Sequence, residues 1–201
     1  MNSAILRNDA SAKNIVVNGP DLVDSTAYST VSAGDNAKLS FLYSYDNSFV
    51  YTVGNAQLDN FYIYDSSEAI FSDSSKLINL TVDNCYYVIV EKNASIQNVI
   101  FNSGVMELAD NAQLSNATIN GGDIRVASST ASVNNVTVNS GATLAVQGSV
   151  SNVSIKNGAR LAQVGDRQSV GAISGVTVAE GAWLSINNAA QFHASYDPKI
   201  A

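Results

Sequence analysis

The feature that most constrains this chain is a repeat of about 19 residues that runs through most of its length. Each copy has two stretches of alternating apolar and polar residues, joined by a turn rich in Asn, Ser and Gly. One apolar position marks each copy: Leu39, Leu58, Leu77, Ile96, Leu114, Val133, Val150, Ile173 and Phe192. Self-similarity at a short period is the signature of a solenoid, in which each coil buries its apolar side against its neighbours.

Alternation within the copies predicts an all-β fold. Val136 and Val138 point to one side of a strand, while Thr137 and Asn139 point to the other. Every coil enters and leaves in the same direction, so the stacked strands must be parallel. The sequence therefore predicts a parallel β-helix of nine to ten coils, about 45 Å long at the usual spacing of ~4.8 Å between strands.

The repeat divides a single β-solenoid domain into three parts. Residues 23–35 break the pattern, so residues 1–35 are predicted to form an irregular N-terminal coil or cap. Residues 36–188 are the regular coils, and residues 189–201 are a C-terminal coil or cap. The longest step between markers contains Gly165-Asp166-Arg167-Gln168, which predicts a protruding loop.

Two polar columns recur at fixed positions in the coils, and we interpret both as fold residues. An Asn lies two residues after most markers, where stacked amides form a hydrogen-bonded ladder. A Gly lies in the turn, where positive φ is needed. The Asn column contains Asn14, Asn60, Asn79, Asn98, Asn116, Asn135 and Asn152, and the Gly column contains Gly104, Gly122, Gly141, Gly158 and Gly181.

Composition limits the partners of the chain. The net charge is −7, and Lys and Arg are not clustered along the sequence, which argues against nucleic acid. The single cysteine, Cys85, excludes an intramolecular disulfide. No apolar run approaches the ~20 residues of a membrane helix, so direct membrane insertion is not expected. The N-terminus does not have the pattern of a signal peptide, so the protein is either cytosolic or a fragment of a longer exported chain, and we favour the second interpretation.

The copies at 135–146, 152–161 and 175–186 resemble the imperfect 19-residue repeats of AIDA-type autotransporter adhesins. The cleanest copy, residues 135–146, reads NVTVNSGATLAV. The resemblance covers roughly residues 36–192 and is clearest over 93–188. The Gly-Gly pairs of that family appear once here, at Gly121-Gly122.

The resemblance implies a right-handed β-helix that a C-terminal β-barrel exports across the outer membrane to the cell surface. It implies adhesion to host cells, self-association between bacteria, or biofilm formation. The implied partner is another copy of the chain, or a host-cell protein or glycan. Some members carry glycans on passenger serines, so a serine glycosyltransferase is a further implied partner.

An enzyme is the first alternative, since phage tail spikes and polysaccharide lyases also use such coils. Glycan-cleaving enzymes typically need paired carboxylates in a groove, whereas the acidic residues here are dispersed. Asp46 and Asp65 occupy the same coil position and Asp83 is close in register, so a cation-binding column is a second alternative. Asp is also an ordinary turn residue. We predict a non-enzymatic protein with no catalytic residue, metal site or cofactor.

The remaining reactive residues stand alone. His193 has no partner in the repeat and is interpreted as a surface or capping residue. Cys85 falls in a turn and is expected to be inert, and Trp183, beside Tyr196, is interpreted as a cap or interface residue. The repeat also generates N-glycosylation sequons without requiring a glycan. They begin at Asn79, Asn116, Asn135 and Asn152.

The clearest departure from the repeat lies in residues 36–92. Where later copies carry outward Thr and Asn, these coils carry Tyr43, Tyr45, Tyr62 and Tyr64. Outward positions on adjacent coils are about 5 Å apart, so the four rings are predicted to stack into an aromatic patch. Exposed Tyr clusters are typical of surfaces that bind protein or carbohydrate. The alternative is that the rings pack beneath residues 20–35.

Three functions remain open at this point. The first is a surface adhesin or self-association segment, in which weak contacts are multiplied along a rod. The second is a carbohydrate-binding or polysaccharide-processing β-helix, with the four tyrosines as a sugar platform beside Asp46 and Asp65. The third is a passive stalk.

Overall fold

The computed structural model describes residues 3–19, 29–165, 171–186 and 192–196, the last range as backbone only. Within these ranges the chain forms β-strands and no helix. No described segment is therefore a helix that would be long and apolar enough to cross a membrane. The strands form two parallel sheets of ten, which confirms the predicted all-β parallel β-helix.

Each coil adds one strand to each of the two sheets. The short-strand sheet contains β1 Ser3–Leu6, β3 Thr30–Ala33, β5 Phe49–Thr52, β7 Glu68–Phe71, β9 Tyr87–Val90, β11 Val105–Leu108, β13 Asp123–Val126, β15 Thr143–Val146, β17 Arg160–Gln163 and β19 Trp183–Ser185. The long-strand sheet contains β2 Ser11–Asn18, β4 Lys38–Tyr45, β6 Gln57–Tyr64, β8 Lys76–Asp83, β10 Ser95–Phe101, β12 Gln113–Ile119, β14 Ser132–Val138, β16 Ser149–Ile155, β18 Ile173–Val178 and β20 Phe192–Tyr196.

Strand register confirms the repeat residue by residue. Leu39 pairs with Leu58 and Leu58 with Leu77, and the same column continues through every marker to Phe192. The regular part has about eight turns of about 19 residues, and further strands at both ends complete the ten strands of each sheet. The handedness that the resemblance implies stays a prediction.

The N-terminal segment differs from the irregular cap that the sequence predicts. β1 pairs with β3 and β2 pairs with β4, so the described part of residues 1–35 continues both sheets. Residues 20–28, which hold much of the interrupted pattern, lie outside the described residues. At the other end, β20 extends the long-strand sheet into 189–201. The predicted loop at 165–168 lies outside the described residues beyond Gly165.

Each long strand bends in its middle, and the strict alternation predicted from the sequence is wrong there. In β10, Ile96 and Val99 are both buried although they are three residues apart. Asn98 lies between them with a φ of 57°, in the left-handed region. Asn98 adds one residue to the inward–outward alternation, so the inward positions after it are displaced by one residue. Gln97 and Val99 pair with the next strand, whereas Asn98 does not. We call the residues before the bend the first arm of the strand and those after it the second arm.

The Asn column occupies this bend, because Asn tolerates positive φ better than most residues with a side chain. Four of the side-chain amides also donate to the amide oxygen of the preceding coil over 2.7–3.3 Å, which confirms the predicted ladder from Asn60 to Asn135. The bonds run from Asn79 to Asn60, Asn98 to Asn79, Asn116 to Asn98 and Asn135 to Asn116. Asn152 keeps the bend, with a φ of 54°, but forms no such bond with Asn135.

Two described coils carry a residue other than Asn at the bend. Gly175 adopts a φ of 60° without strain, because glycine has no Cβ. Phe41 adopts a φ of 55°, which costs about 1–2 kcal/mol for a residue with a side chain. The Phe41 ring is 41% exposed. Phe41 also interrupts the ladder, since it stands between Asn14 and Asn60 and carries no amide.

The core is a continuous apolar column between the two sheets. Phe61, Phe71 and Phe101 are its largest side chains and are at most 1% exposed. Phe61 and Phe71 meet edge to face, with ring centroids 5.9 Å apart and an interplanar angle of 79°. Because the core is filled by such contacts between neighbouring coils, it holds the outward side chains at fixed spacings.

Candidate binding surface

The four predicted tyrosines form a two-by-two array on the second arms of β4 and β6. Between the two strands, the ring centroids of Tyr43 and Tyr62 are 4.8 Å apart and those of Tyr45 and Tyr64 are 5.1 Å apart. Along each strand the separations are 6.5 and 6.4 Å. All four planes are parallel to within 9°. These separations match the stacking that the strand spacing predicts.

The rings stand side by side with their faces turned to each other across the strands. Neighbouring rings therefore cover much of each other's faces, and the array presents ring edges and hydroxyl groups to solvent. Burial, and then the nearby hydroxyls of Tyr45 and Tyr62 and the carboxylate of Asp83, raise the pKa of Tyr64. The Tyr64 hydroxyl therefore stays protonated, and able to donate a hydrogen bond, to a higher pH than an ordinary tyrosine.

Small polar residues lie beneath the array. Ser44 is buried between Tyr43 and Tyr45, at a position where the next strand carries Ile63. Its Oγ lies 2.5 Å from the Oγ of Ser48, which lies 3.2 Å from the Oγ of Ser67. These contacts satisfy the buried hydroxyls and fix the backbone under the rings.

The alternative in which residues 20–35 pack over the tyrosines can be examined only in part, because only residues 29–35 of that segment are described. Thr30–Ala33 belongs to the short-strand sheet, whereas the array lies on the long-strand sheet. Residues 20–28 lie outside the described residues. Near the array, the N–H of Gly19 donates to the carbonyl of Tyr45 over 3.0 Å. The four tyrosine side chains are half-buried.

The three aspartates singled out in the sequence lie beside the array, Asp46 and Asp65 in turns and Asp83 at the end of β8. Asp46 and Asp65 have φ values of 52° and 50°, as turn residues often do. Asp83 pairs with Tyr64, one position away from Asp65, and its carboxylate accepts a hydrogen bond from the Ser103 hydroxyl. Within the described ranges, no three His, Cys, Asp or Glu side chains are grouped so as to hold a metal ion.

The outward face of the short-strand sheet carries a second group of aromatic residues that the sequence reasoning did not assemble. The rings of Phe49 and Tyr51 are parallel, with centroids 6.5 Å apart. The Tyr87 hydroxyl donates to a carboxylate oxygen of Glu107 on the adjacent coil. Burial, followed by this hydrogen bond, raises the pKa of Tyr87 to about 12. In β5 the second and fourth residues, Val50 and Thr52, point inward, so Phe49 and Tyr51 point outward. This alternation was the sequence signal that could have identified the pair.

Of the isolated residues, Trp183 is 73% exposed on β19 and pairs with Arg160. The side chains of Tyr196 and His193 lie outside the described residues. Cys85 lies in the turn between β8 and β9 and is 6% exposed. Its thiol lies 3.8 Å from the carbonyl oxygens of Ser103 and Val105, and burial raises its pKa to about 11.

Cys85 is expected to react slowly with an alkylating reagent in the folded protein. At pH 8 a thiol with a pKa of about 11 is on the order of a hundredfold less ionised than an ordinary thiol, and the thiolate is the nucleophile. The folded-state rate should rise about tenfold per pH unit up to about pH 11, whereas the urea-denatured chain should level off above about pH 9. Iodoacetamide labelling followed by mass spectrometry measures both rates. Equal rates at pH 8 would contradict the buried position.

The fold and its repeat place the chain in the class of parallel β-solenoids. The chain matches no protein-family profile, and no curated protein is significantly similar to it in sequence. The resemblance to AIDA-type passengers therefore depends on the repeat residues alone and stays a prediction. The same holds for the cell-surface location, the partners and the absence of enzymatic activity.

Proposed function

We propose that this chain is a non-enzymatic adhesive rod: a segment of an autotransporter-type passenger that mediates cell–cell or cell–host adhesion and biofilm formation at the bacterial surface. The observation that carries the proposal is the two-by-two tyrosine array on a rigid parallel solenoid. Tyrosine is enriched at protein–protein interfaces because it combines a large apolar ring with a hydroxyl.

The geometry of the array favours a protein partner over a stacked sugar. A sugar platform needs open ring faces, whereas one face of each ring is covered by its partner in the stack. The other faces lie towards the outward residues of the neighbouring strands β2 and β8. Ring edges and hydroxyls instead fit a second flat surface that offers hydrogen-bond acceptors and apolar groups. The rings are held in place before binding, so little side-chain entropy is lost when a partner docks.

The rod shape multiplies such contacts. Neighbouring coils are about 4.8 Å apart, so a partner with the same spacing meets an outward side chain on every coil it spans. Weak contacts that are linked in this way give an avidity far above that of each contact alone. A second copy of the chain has this spacing by construction, which makes self-association the simplest form of the proposal.

Beads coated with the purified chain are expected to clump, and a Tyr43/Tyr45/Tyr62/Tyr64→Ser variant is expected to clump much less. The variant removes four rings from the surface and leaves the inward residues of β4 and β6 unchanged. The matched control replaces the equivalent outward residues of two later coils, Thr118, Asn120, Thr137 and Asn139, with serine. Light scattering measures clumping, and circular dichroism confirms that each variant is folded.

The outcomes separate the candidate functions. Clumping that only the tyrosine variant loses supports self-association through the array. If only the control variant stops clumping, the self-association contact lies on the Thr and Asn face. If no protein clumps and none binds to host cells, the adhesive role is wrong and a passive stalk remains. Release of reducing sugar from a polysaccharide would overturn the non-enzymatic assignment.

A further inference from the structure

A second surface lies on the first arms of the long-strand sheet, around the bend from the tyrosine array. It is an open groove of about 380 Å³. Parts of three strands line it: 38–40, 57–59 and 76–78. Leu39 and Leu58 form its buried floor, and Ile78 is 44% exposed along its side. We call it the first-arm groove.

The first-arm groove gathers lysines that are far apart in sequence. Lys38 pairs with Gln57 and Gln57 pairs with Lys76, so the two lysines point outward from one column, two strands apart. This distance is about 9.6 Å along the solenoid. Lys13 lies on the preceding strand, paired with Ser40. Lysines that are not clustered along the sequence are therefore neighbours on this face of the fold.

These lysines are available for a ligand. Among the described residues, ion pairs join only Lys92 to Glu91 and Arg125 to Asp123. Asp59 lies in the groove, but its Oδ1 accepts a hydrogen bond from the Asn79 side chain over 3.1 Å. In a chain of net charge −7, two exposed lysines against one aspartate leave this groove with a net positive charge.

Phe41 directly follows Ser40, the last residue of β4 that lines this groove. Phe41 has the left-handed conformation that Asn14 and Asn60 have in the neighbouring coils. It has no side-chain amide, so it cannot take part in the Asn ladder. Its ring is exposed and, unlike Tyr43, forms no ring contact with another described aromatic residue. The left-handed backbone disfavours a phenylalanine here, where Asn or Gly would fit without this cost. Strain of this kind is typically retained at functional positions.

We propose that the first-arm groove binds an acidic oligosaccharide. The exposed face of Phe41 stacks on the apolar C–H face of a pyranose ring, and Lys38 and Lys76 bind carboxylate or sulfate groups on sugars along the chain. The Gln57 amide donates to and accepts from sugar hydroxyl groups, and the free oxygen of Asp59 accepts from them. The two lysines are spaced along the solenoid axis, which suits an extended polymer that lies parallel to it.

This site is independent of the tyrosine array, although it would supply the adhesive rod with a glycan ligand. The array lies on the second arms and the groove on the first arms of the same strands. The Tyr43/Tyr45/Tyr62/Tyr64→Ser variant should therefore keep its affinity for glycan, and variants in the groove should still clump. Failure of one proposal leaves the other intact.

Isothermal titration calorimetry of the whole chain tests the proposal with oligogalacturonate, hyaluronate and heparin fragments, and with maltodextrin as the neutral control. At least one acidic glycan is expected to bind, with an affinity that falls as salt is raised, while maltodextrin does not bind. Phe41→Asn is the informative variant. It restores the ladder residue, so its Tm should rise, yet its affinity should fall by about tenfold or more because the stacking face is lost.

Lysine variants complete the test. Lys38→Gln/Lys76→Gln should abolish the salt-dependent binding, while the matched control Lys92→Gln/Lys156→Gln should bind as the unaltered chain does. Binding of none of the three acidic glycans overturns the proposal, and so does a Phe41→Asn variant with unchanged affinity. Equal affinity for a single-stranded oligonucleotide would show a general polyanion surface and would overturn the assignment to a sugar.

Discussion

Replacing Phe61 by alanine is expected to lower the free energy of unfolding by about 3–5 kcal/mol, the usual cost of removing a buried aromatic ring. Phe61 is 0% exposed and packs edge to face against Phe71. In a solenoid the ring touches only its own and the adjacent coils, and their backbones are held by the sheet ladders. The cavity therefore cannot close by collapse. Urea denaturation followed by circular dichroism measures the loss.

Phe49→Ala is the matched control for this prediction. Phe49 is also on a strand of an early coil, but it points outward and stacks on Tyr51 across the sheet surface. Removing a partly exposed aromatic ring costs mainly its pair contact, about 0.5–1.5 kcal/mol. If the two variants lost equal stability, the inward and outward assignments of these strands would be wrong.

Much of the fold can be predicted from the sequence because one local pattern is repeated. The marker residues alone give the strand register, since Leu39, Leu58 and Leu77 pair as their spacing requires. The Asn column is also visible, but its bend is not. A column of Asn two residues after each marker is compatible with a straight strand until Ile96 and Val99 are seen to point the same way. The unequal spacing of these apolar residues was the available signal.

The two candidate surfaces differ in how far the sequence reveals them. The tyrosine array follows from alternation and strand spacing, because Tyr43 and Tyr62 occupy the same position in adjacent copies. The first-arm groove does not follow so directly. Lys38 and Lys76 are two repeats apart, and Gln57 separates them in the column, so their proximity appears only when the register is written out. Phe41 is visible as an interruption of the Asn column, but its strain depends on the bend.

The early and late coils therefore share one backbone and differ in what they present. From Asn98 onward the bend carries Asn or Gly, and the outward second-arm residues include Thr118 and Thr137. The strand Lys38–Tyr45 instead carries aromatic residues at its bend and along its second arm. Since a solenoid sums the stabilities of its coils, well-formed late coils can support an early coil that carries strain.

Replacing Gly104 by alanine is expected to lower the free energy of unfolding by about 3 kcal/mol or more, while Gly141→Ala should cost only about 1–2 kcal/mol. Both glycines lie in turns and have positive φ, 108° and 82°. The register shows that the predicted single Gly column is wrong here, since Gly104 lies one residue before its short strand and Gly141 lies two residues before its strand. A Cβ on Gly141 would meet no atom within 4 Å, whereas a Cβ on Gly104 would lie 2.6 Å from the carbonyl oxygen of Cys85 and would also clash with its sulfur.

Comparing the Gly104 and Gly141 variants separates two reasons why a turn position requires glycine. Gly141 is needed only for its backbone conformation, while Gly104 is also needed because the backbone of the preceding coil passes too close for any side chain. A turn that shifted to admit the new methyl group would also expose the Cys85 thiol, so faster alkylation should accompany the loss of stability. Parallel urea titrations of the two variants measure the difference. Equal losses would mean that the turns at Gly104 and Gly141 are packed alike, contrary to the close approach of Cys85.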